Sequence, residues 1–337
     1  MNSKQKKVYV TGATGFIGEK LVQSLVQKGY KTTCLVRSPD KAKHLESLNV
    51  SIVKGDITNR KQVQKTIQDH STIYHLAAWY EIGVPASKET LMRTINVAGT
   101  KNVLEEAWKS GAERIIYCST VGALGNSGPQ GHIADEHHNH DGKFQSLYVK
   151  TKYKAHQIAE RLIKKNAPLI IVLPGAVYGP GDTSLVAKQM KLIINKKLKF
   201  IPNIPSIYCY THVNDVVNGM MLAEKKGKIG EKYILTGPPL TIKQFYQTVA
   251  NQANINPPKI PIPLWIFHLI AWINKHLPAD KKLIKDIPLN HETLSMMKAN
   301  WAYSSKKAQK KLGWKPRSLQ QGLPETLEWI QHNEHQI

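Results

Sequence analysis

Val8-Tyr-Val-Thr11, an unbroken β-type run, leads directly into Gly12-Ala-Thr-Gly15-Phe-Ile-Gly18 and then into a helical pattern. Glycines at this spacing between a strand and a helix serve three purposes. Gly12 permits a tight turn, Gly15 lets the backbone approach a pyrophosphate, and Gly18 lets the helix pack closely on the strand. The start of the helix adds free N–H groups and a partial positive charge, both suited to phosphate.

The alternation continues to about residue 180. Thr32–Val36, Val50–Val53, Thr72–Leu76, Arg114–Cys118 and Leu169–Leu173 read as strands, separated by segments with apolar residues three and four apart. Ile17, Leu21 and Leu25, closed by Gly29, mark one helix; Leu91, Ile95, Val103, Leu104 and Ala107, closed by Gly111, mark another. Strands that are apolar on both faces are covered on both, as in a doubly wound parallel α/β sheet. Beyond Gly181 the pattern predicts helices over Leu185–Asn195, Asp215–Lys226 and Thr241–Ala253, with one strand-like run, Lys232–Leu235. Pro257, Pro258, Pro261, Pro263 and Pro278 surround an apolar run, Leu264–Ile273. We therefore expect residues 1–180 to bind a dinucleotide and carry the chemistry. Residues 181–337 should form a smaller, mostly helical substrate lobe that partly returns to the sheet.

The net charge of +23 is the one unusual global quantity. Its lysines are scattered, without an arginine-rich run or aromatic-basic alternation, so no nucleic-acid partner is expected. Part of the charge would serve dinucleotide phosphates. No apolar signal segment precedes Val8 and no run approaches the roughly 20 apolar residues of a membrane span, so the expected address is the cytoplasm. Cys34, Cys118 and Cys209 are far apart and read as buried free thiols. His132, His137, His138 and His140, with Asp135, Glu136 and Asp141, look like metal ligands but lack a rigid scaffold, so no metal is expected.

Val36-Arg37-Ser38 ends the second strand, where an acidic residue would bond an adenosine ribose and repel a 2′-phosphate. Arg37, with Lys41 behind it, instead suits that phosphate, which favours NADP(H) while leaving NAD(H) open. Asp56 and Ile57, after the third strand, are placed to meet the adenine ring. Tyr148 and Lys152 stand at i and i+4, on one face of a helix. An ammonium there favours the phenolate, so Tyr148 can exchange the proton that accompanies hydride transfer. Ser119-Thr120, ending the fifth strand, offers a hydroxyl to the substrate oxygen.

Taken together, these motifs resemble those of the extended short-chain dehydrogenases/reductases, whose nucleotide-binding half is a Rossmann fold. Thr11-Gly-Ala-Thr-Gly-Phe-Ile-Gly18, His75-Leu-Ala-Ala78, Asn96-Val-Ala-Gly-Thr100, Ser119-Thr120, Tyr148-x-x-x-Lys152 and Pro174-Gly-Ala-Val-Tyr-Gly-Pro-Gly181 carry the likeness. His212-Val-Asn-Asp215 and the tail from Ser305 to Pro316 continue it. The resemblance implies that Thr120, Tyr148 and Lys152 are catalytic. It implies cofactor contacts from Gly12, Thr14, Gly15, Phe16, Ile17, Gly18, Leu76, Ala77, Ala78, Tyr148, Lys152, Pro174 and Val177. It makes His75 a packed residue and Asn96 a structural or water-relay one, and is compatible with a homodimer through helices of the sheet half. Val-Arg-Ser-Pro is most similar to the dihydroflavonol reductase and 3β-hydroxysteroid dehydrogenase branch.

Departures narrow the reaction. Val121-Gly122 stands where sugar-nucleotide dehydratases carry an Asp-Glu pair. Cys209-Tyr210-Thr211 stands where epimerases place a diphosphate-binding arginine, and Leu173 where many relatives have arginine. The expected function is interconversion of a ketone or aldehyde and an alcohol on an apolar, sterol-, isoprenoid- or aromatic-like small molecule. The alternatives are a sugar-nucleotide epimerase and a non-catalytic cofactor sensor. Leu264–Ile273 is read first as a helix packed on its own lobe, with a substrate lid and a shallow membrane-surface contact as the other readings.

Overall fold

The computed structural model describes residues 5–277 and 289–337; Pro278 and the first residues of the polar N-terminus lie outside the described residues. The first half runs β1 (Lys7–Thr11), α1 (Phe16–Gln27), β2 (Lys31–Val36), α2 (Lys43–Glu46), β3 (Ser51–Lys54), α3 (Arg60–Thr66) and β4 (Thr72–His75). It continues through α4 (Ala86–Arg93), α5 (Thr100–Lys109), β5 (Arg114–Cys118), α6 (Leu147–Ile163) and β6 (Leu169–Pro174). The second half comprises β7 (Ala176–Tyr178), α7 (Leu185–Ile194), β8 (Phe200–Asn203), β9 (Ile207–His212), α8 (Val213–Lys226), β10 (Lys232–Leu235) and β11 (Pro239–Thr241). It ends with α9 (Ile242–Gln252), β12 (Ile260–Pro263), α10 (Leu264–His276), α11 (His291–Lys298), α12 (Lys306–Leu312) and α13 (Leu319–His332).

Seven strands form one parallel sheet in the order β3-β2-β1-β4-β5-β6-β10. The chain reverses direction across the sheet between β1 and β4, which opens a crevice beyond the carboxyl ends of those two strands. β4 and β6 are buried along their whole length, as strands covered on both faces must be. Each expected strand of the first half is present, and β10 brings the second half back to the sheet beside β6.

Two local expectations are corrected. α4 and α5 are joined by a π-helical turn, Thr94–Gly99. The wider turn rotates the apolar face of α4 relative to α5, so Leu91 is 52% exposed and Met92 is buried instead. The second half also holds more strands than the one its pattern suggests. A three-stranded sheet, β11-β9-β7, and a parallel pair, β8-β12, accompany its helices. Pro202, Pro261 and Pro263 make β8 and β12 read as turns, yet a two-stranded ladder leaves one edge of each strand unpaired, where proline loses nothing.

The core does not stop where the sequence pattern weakens. Val216, Val217 and Met220 of α8, Ala308 and Leu312 of α12, and Trp314 pack with Val8, Val10 and Leu21 in one cluster. Trp314 is 1% exposed and its indole N–H donates to the Asp215 carbonyl at 2.8 Å. The Arg317 amide and Nε donate to the Asp215 carboxylate at 2.9 and 3.1 Å, and its Nη1 donates to Glu325 at 2.7 Å. Burial and the Arg317 charge lower the pKa of His212 to about 4, so its 3.1 Å approach to Glu325 is not an ion pair at neutral pH. The His-Val-Asn-Asp motif and the Leu-Gly-Trp tail are thus two halves of one tie. Trp314→Ala should cost about 3–5 kcal/mol of stability; an unchanged urea midpoint and slope would show that the tail does not hold the sheet half.

Candidate active site

The turn between β1 and α1 fits a dinucleotide backbone. Gly12 adopts φ +78°, and a Cβ there would stand 2.6 Å from the Ala77 nitrogen. A Cβ on Gly18 would overlap the Gly12 carbonyl oxygen. A Cβ on Gly15 would meet only that same oxygen, at 3.3 Å, so Gly15 otherwise faces open space. No side chain caps α1, which leaves its first turn to an anion. Thr14 is exposed; Phe16 and Ile17 are half-buried, and Phe16 reaches toward Gly181 beyond β7.

His75 locks this turn to the neighbouring strand. Its ring lies between Thr11 Oγ1 (2.7 Å) and Thr100 Oγ1 (3.0 Å), and Thr11 Oγ1 also accepts from the Ala77 amide (3.3 Å). Burial, then the Lys152 charge, lowers its pKa to about 3. A neutral, fully engaged imidazole is a structural part. Leu76, Ala77 and Ala78 follow it along the crevice, the first two half-buried and the third exposed.

At the adenosine end, Arg37 leaves β2 exposed to solvent, and among the described residues no carboxylate pairs with it. Lys41 is exposed on the following turn. The Asp56 carboxylate accepts from both the amide and the hydroxyl of Thr58 at 2.8 Å, and the Ile57 side chain is buried against Gly99.

Tyr148 and Lys152 lie on α6, whose first turn is capped by Ser146 accepting from the Val149 amide (3.2 Å). Lys152 Nζ donates to the Cys118 carbonyl at 3.0 Å, which fastens α6 to the last residue of β5. The next two hydroxyls diverge. Ser119 is buried against His156 Nδ1 (3.1 Å), whereas Thr120 is half-buried; its Oγ1 accepts from the Gly122 amide (3.2 Å) and meets the Pro174 carbonyl at 3.5 Å. Thr120 is therefore the hydroxyl with a loosely committed proton. Val177, on β7, is half-buried beyond Pro174.

The acidified phenol expected from the Tyr148–Lys152 spacing is not what the geometry gives. Burial, reinforced by Tyr80, Cys118 and Tyr117, pushes the Tyr148 phenol well above its ordinary value. Lys152 is itself lowered to about 8 by burial. Desolvation decides the phenol's state, and at neutral pH Tyr148 is a proton donor.

Several residues around this pair carried no recognisable sequence signal. The Tyr80 ring stands edge-on to Tyr148, with centroids 4.9 Å apart. Phe144, Tyr208 and Met296 join Tyr148 on the cluster of Val149, Ala299 and Trp301. Glu292 accepts from the Gly83 amide (2.7 Å) and the Leu147 amide (2.8 Å), clamping the segment after β4 to the start of α6. Asn96, within the π-turn, accepts from the Trp79 amide (2.7 Å) and donates to Thr151 (3.0 Å), which makes it a tie between the same two regions.

Lys152 makes a testable pH dependence. Between about pH 8 and the ordinary lysine value of 10.5, the unfolded chain holds a proton that the folded chain has released. Stability contributed by this group therefore rises with pH across that window. From pH 7.5 to 9.5 the wild type should gain about 2 kcal/mol relative to Lys152→Met in urea unfolding. Parallel stability curves would show that the amine is not desolvated.

The likeness to known proteins agrees with this geometry. A "Putative dihydroflavonol 4-reductase" from Synechocystis is 29% identical over 340 residues, covering 96% of this chain and 94% of that protein. "Sterol demethylase protein B" from Methylococcus capsulatus is 26% identical over 328 residues, covering 95% and 97%. The crystal structure of gox2253 superposes with a TM-score of 0.82 at 31% identity, covering 98% of this chain and 99% of that one. Residues 8–235 match the NAD dependent epimerase/dehydratase family, and the chain belongs to it as an NAD(P)-dependent oxidoreductase of the extended short-chain type.

Proposed function

We propose that this protein uses NADP(H) to interconvert a ketone and a secondary alcohol on an apolar substrate. The carrying observation is the Tyr148 phenol, kept protonated among apolar walls, with Lys152 fastened to β5 and the Thr120 hydroxyl at the same strand end. A bound nicotinamide supplies or takes the hydride at the substrate carbon. Reduction then needs a proton at the carbonyl oxygen, and Tyr148 is the donor. Thr120 offers a second hydrogen bond to that oxygen, where charge grows. Lys152 steadies the phenolate once the proton has left, and the same side chain can hold the nicotinamide ribose.

Arg37 supports the phosphorylated dinucleotide. Among the described residues no carboxylate pairs with its guanidinium, which follows β2 where an acidic side chain would repel a 2′-phosphate. The character of the walls supports an apolar substrate, as do the names of the two relatives above. Cys209, Tyr210 and Thr211 are buried in β9 and Leu173 is buried in β6, so none of them can hold a sugar diphosphate. This favours simple redox chemistry over epimerisation.

Two measurements test the reading. Tyr148→Phe should retain NADPH binding but lose about 10²–10⁴-fold in NADPH-dependent turnover of sterol-like or aromatic ketones. Full turnover by this variant, or equal turnover of UDP-hexoses by the wild type, would overturn it. Arg37→Asp should weaken NADPH and favour NADH in fluorescence titrations; an unchanged preference would remove the basis for NADP(H).

A further inference from the structure

α10 turns an aromatic face to solvent. Trp265, Leu269 and Trp272 are 65%, 48% and 62% exposed, and they recur at helical spacing along one side. Phe267 and Asn274 are buried, and α10 packs on β12 and α11. Phe200 and Ile260, register partners in β8 and β12, are exposed beside it. Single exposed apolar side chains are ordinary, but five large ones on adjoining elements form a patch that calls for a partner.

The charge around the patch identifies that partner. A groove of about 870 Å³, which meets the patch at Ile260, is lined by Lys196, Lys199 and Lys259 together with Ile193, Leu198 and Ile260, and among the described residues no carboxylate lines it. Residues 183–214 hold five lysines and no Asp or Glu; residues 236–277 hold three lysines and none. At one edge Glu334 accepts from Asn195 at 3.3 Å. An apolar centre with a cationic margin is the pattern that seats on acidic lipid. A second copy fits less well, because facing patches would bring two lysine margins together on chains of net charge +23 each.

We propose that this face docks on an anionic phospholipid surface. Trp265, Leu269 and Trp272 lie at the boundary of headgroups and acyl chains, and the lysines lie over lipid phosphates. The contact is shallow, since thirteen residues of helix reach about 20 Å, short of a bilayer core. α10 touches α11, whose Met296 packs on the same Val149, Ala299 and Trp301 cluster as Tyr148, so an apolar substrate leaving the bilayer would find the site nearby. That last consequence rests on the proposed function; the docking itself does not.

The test mixes the full chain with vesicles of phosphatidylcholine alone or with phosphatidylglycerol, read by co-sedimentation and tryptophan fluorescence. Binding should require phosphatidylglycerol, weaken with salt, and fall about fivefold for each lysine removed near the surface. Lys196→Glu, Lys199→Glu and Lys259→Glu combined should lower it at least about 100-fold. Trp265→Ser with Trp272→Ser should abolish binding and leave NADPH affinity intact, which confirms the fold without using turnover. Absence of binding to every vesicle overturns the proposal, as does equal binding to phosphatidylcholine alone. It is also overturned if the tryptophan variants split a dimer and the wild type does not sediment with vesicles.

Discussion

The close approach of Gly12 to the backbone after β4 is the constraint on which the site depends. Any side chain there would enter the space of Ala77, and one on Gly18 would enter that of Gly12 itself. With both absent, α1 can start against the sheet and Thr11 can reach His75. The imidazole then carries the constraint onward to Thr100, at the start of α5. A turn made of glycine is thereby held as rigidly as the strands beside it, with no ion pair spent on the task.

The chemical end of the crevice relies on desolvation. Tyr148, Lys152 and His75 are each displaced toward their uncharged forms by burial. Hydrogen bonds to backbone carbonyls and amides do the positioning: Lys152 on Cys118, Glu292 on Leu147 and Gly83, Asn96 on Trp79. Such bonds fix these side chains without an opposing charge, and the phenol is the group whose proton the proposed reaction uses.

Much of this was legible in the sequence, for local reasons. The central strands of the first half were visible because both their faces are buried, β4 and β6 along their whole length, and the glycine loop because Gly12 and Gly18 leave no room for a side chain. The Tyr-x-x-x-Lys pair was visible because helical geometry links residues four apart. What escaped was either non-local or cumulative. Glu292 is 209 residues from Gly83 in the chain, and nothing around it marks it as a clamp. Leu91 looked buried because a π-turn resets the helical phase without a distinctive residue. The Tyr148 phenol looked acidified because a sequence displays a lysine four residues on but not the burial and the neighbouring groups that raise the phenol.

The tie between Asp215, Trp314 and Arg317 has a consequence for biosynthesis. The nucleotide half is made first, yet the face of its sheet carrying α1 is covered in part by α8, α12 and Trp314. While the ribosome is still working through the second half, Val8, Val10 and Leu21 lack their final cover. The nascent chain therefore carries an open apolar surface through most of its synthesis, a state that invites chaperone capture or aggregation. Closure of this core waits for the Leu-Gly-Trp segment to emerge, which makes that segment the latch of a core whose first strand was formed long before.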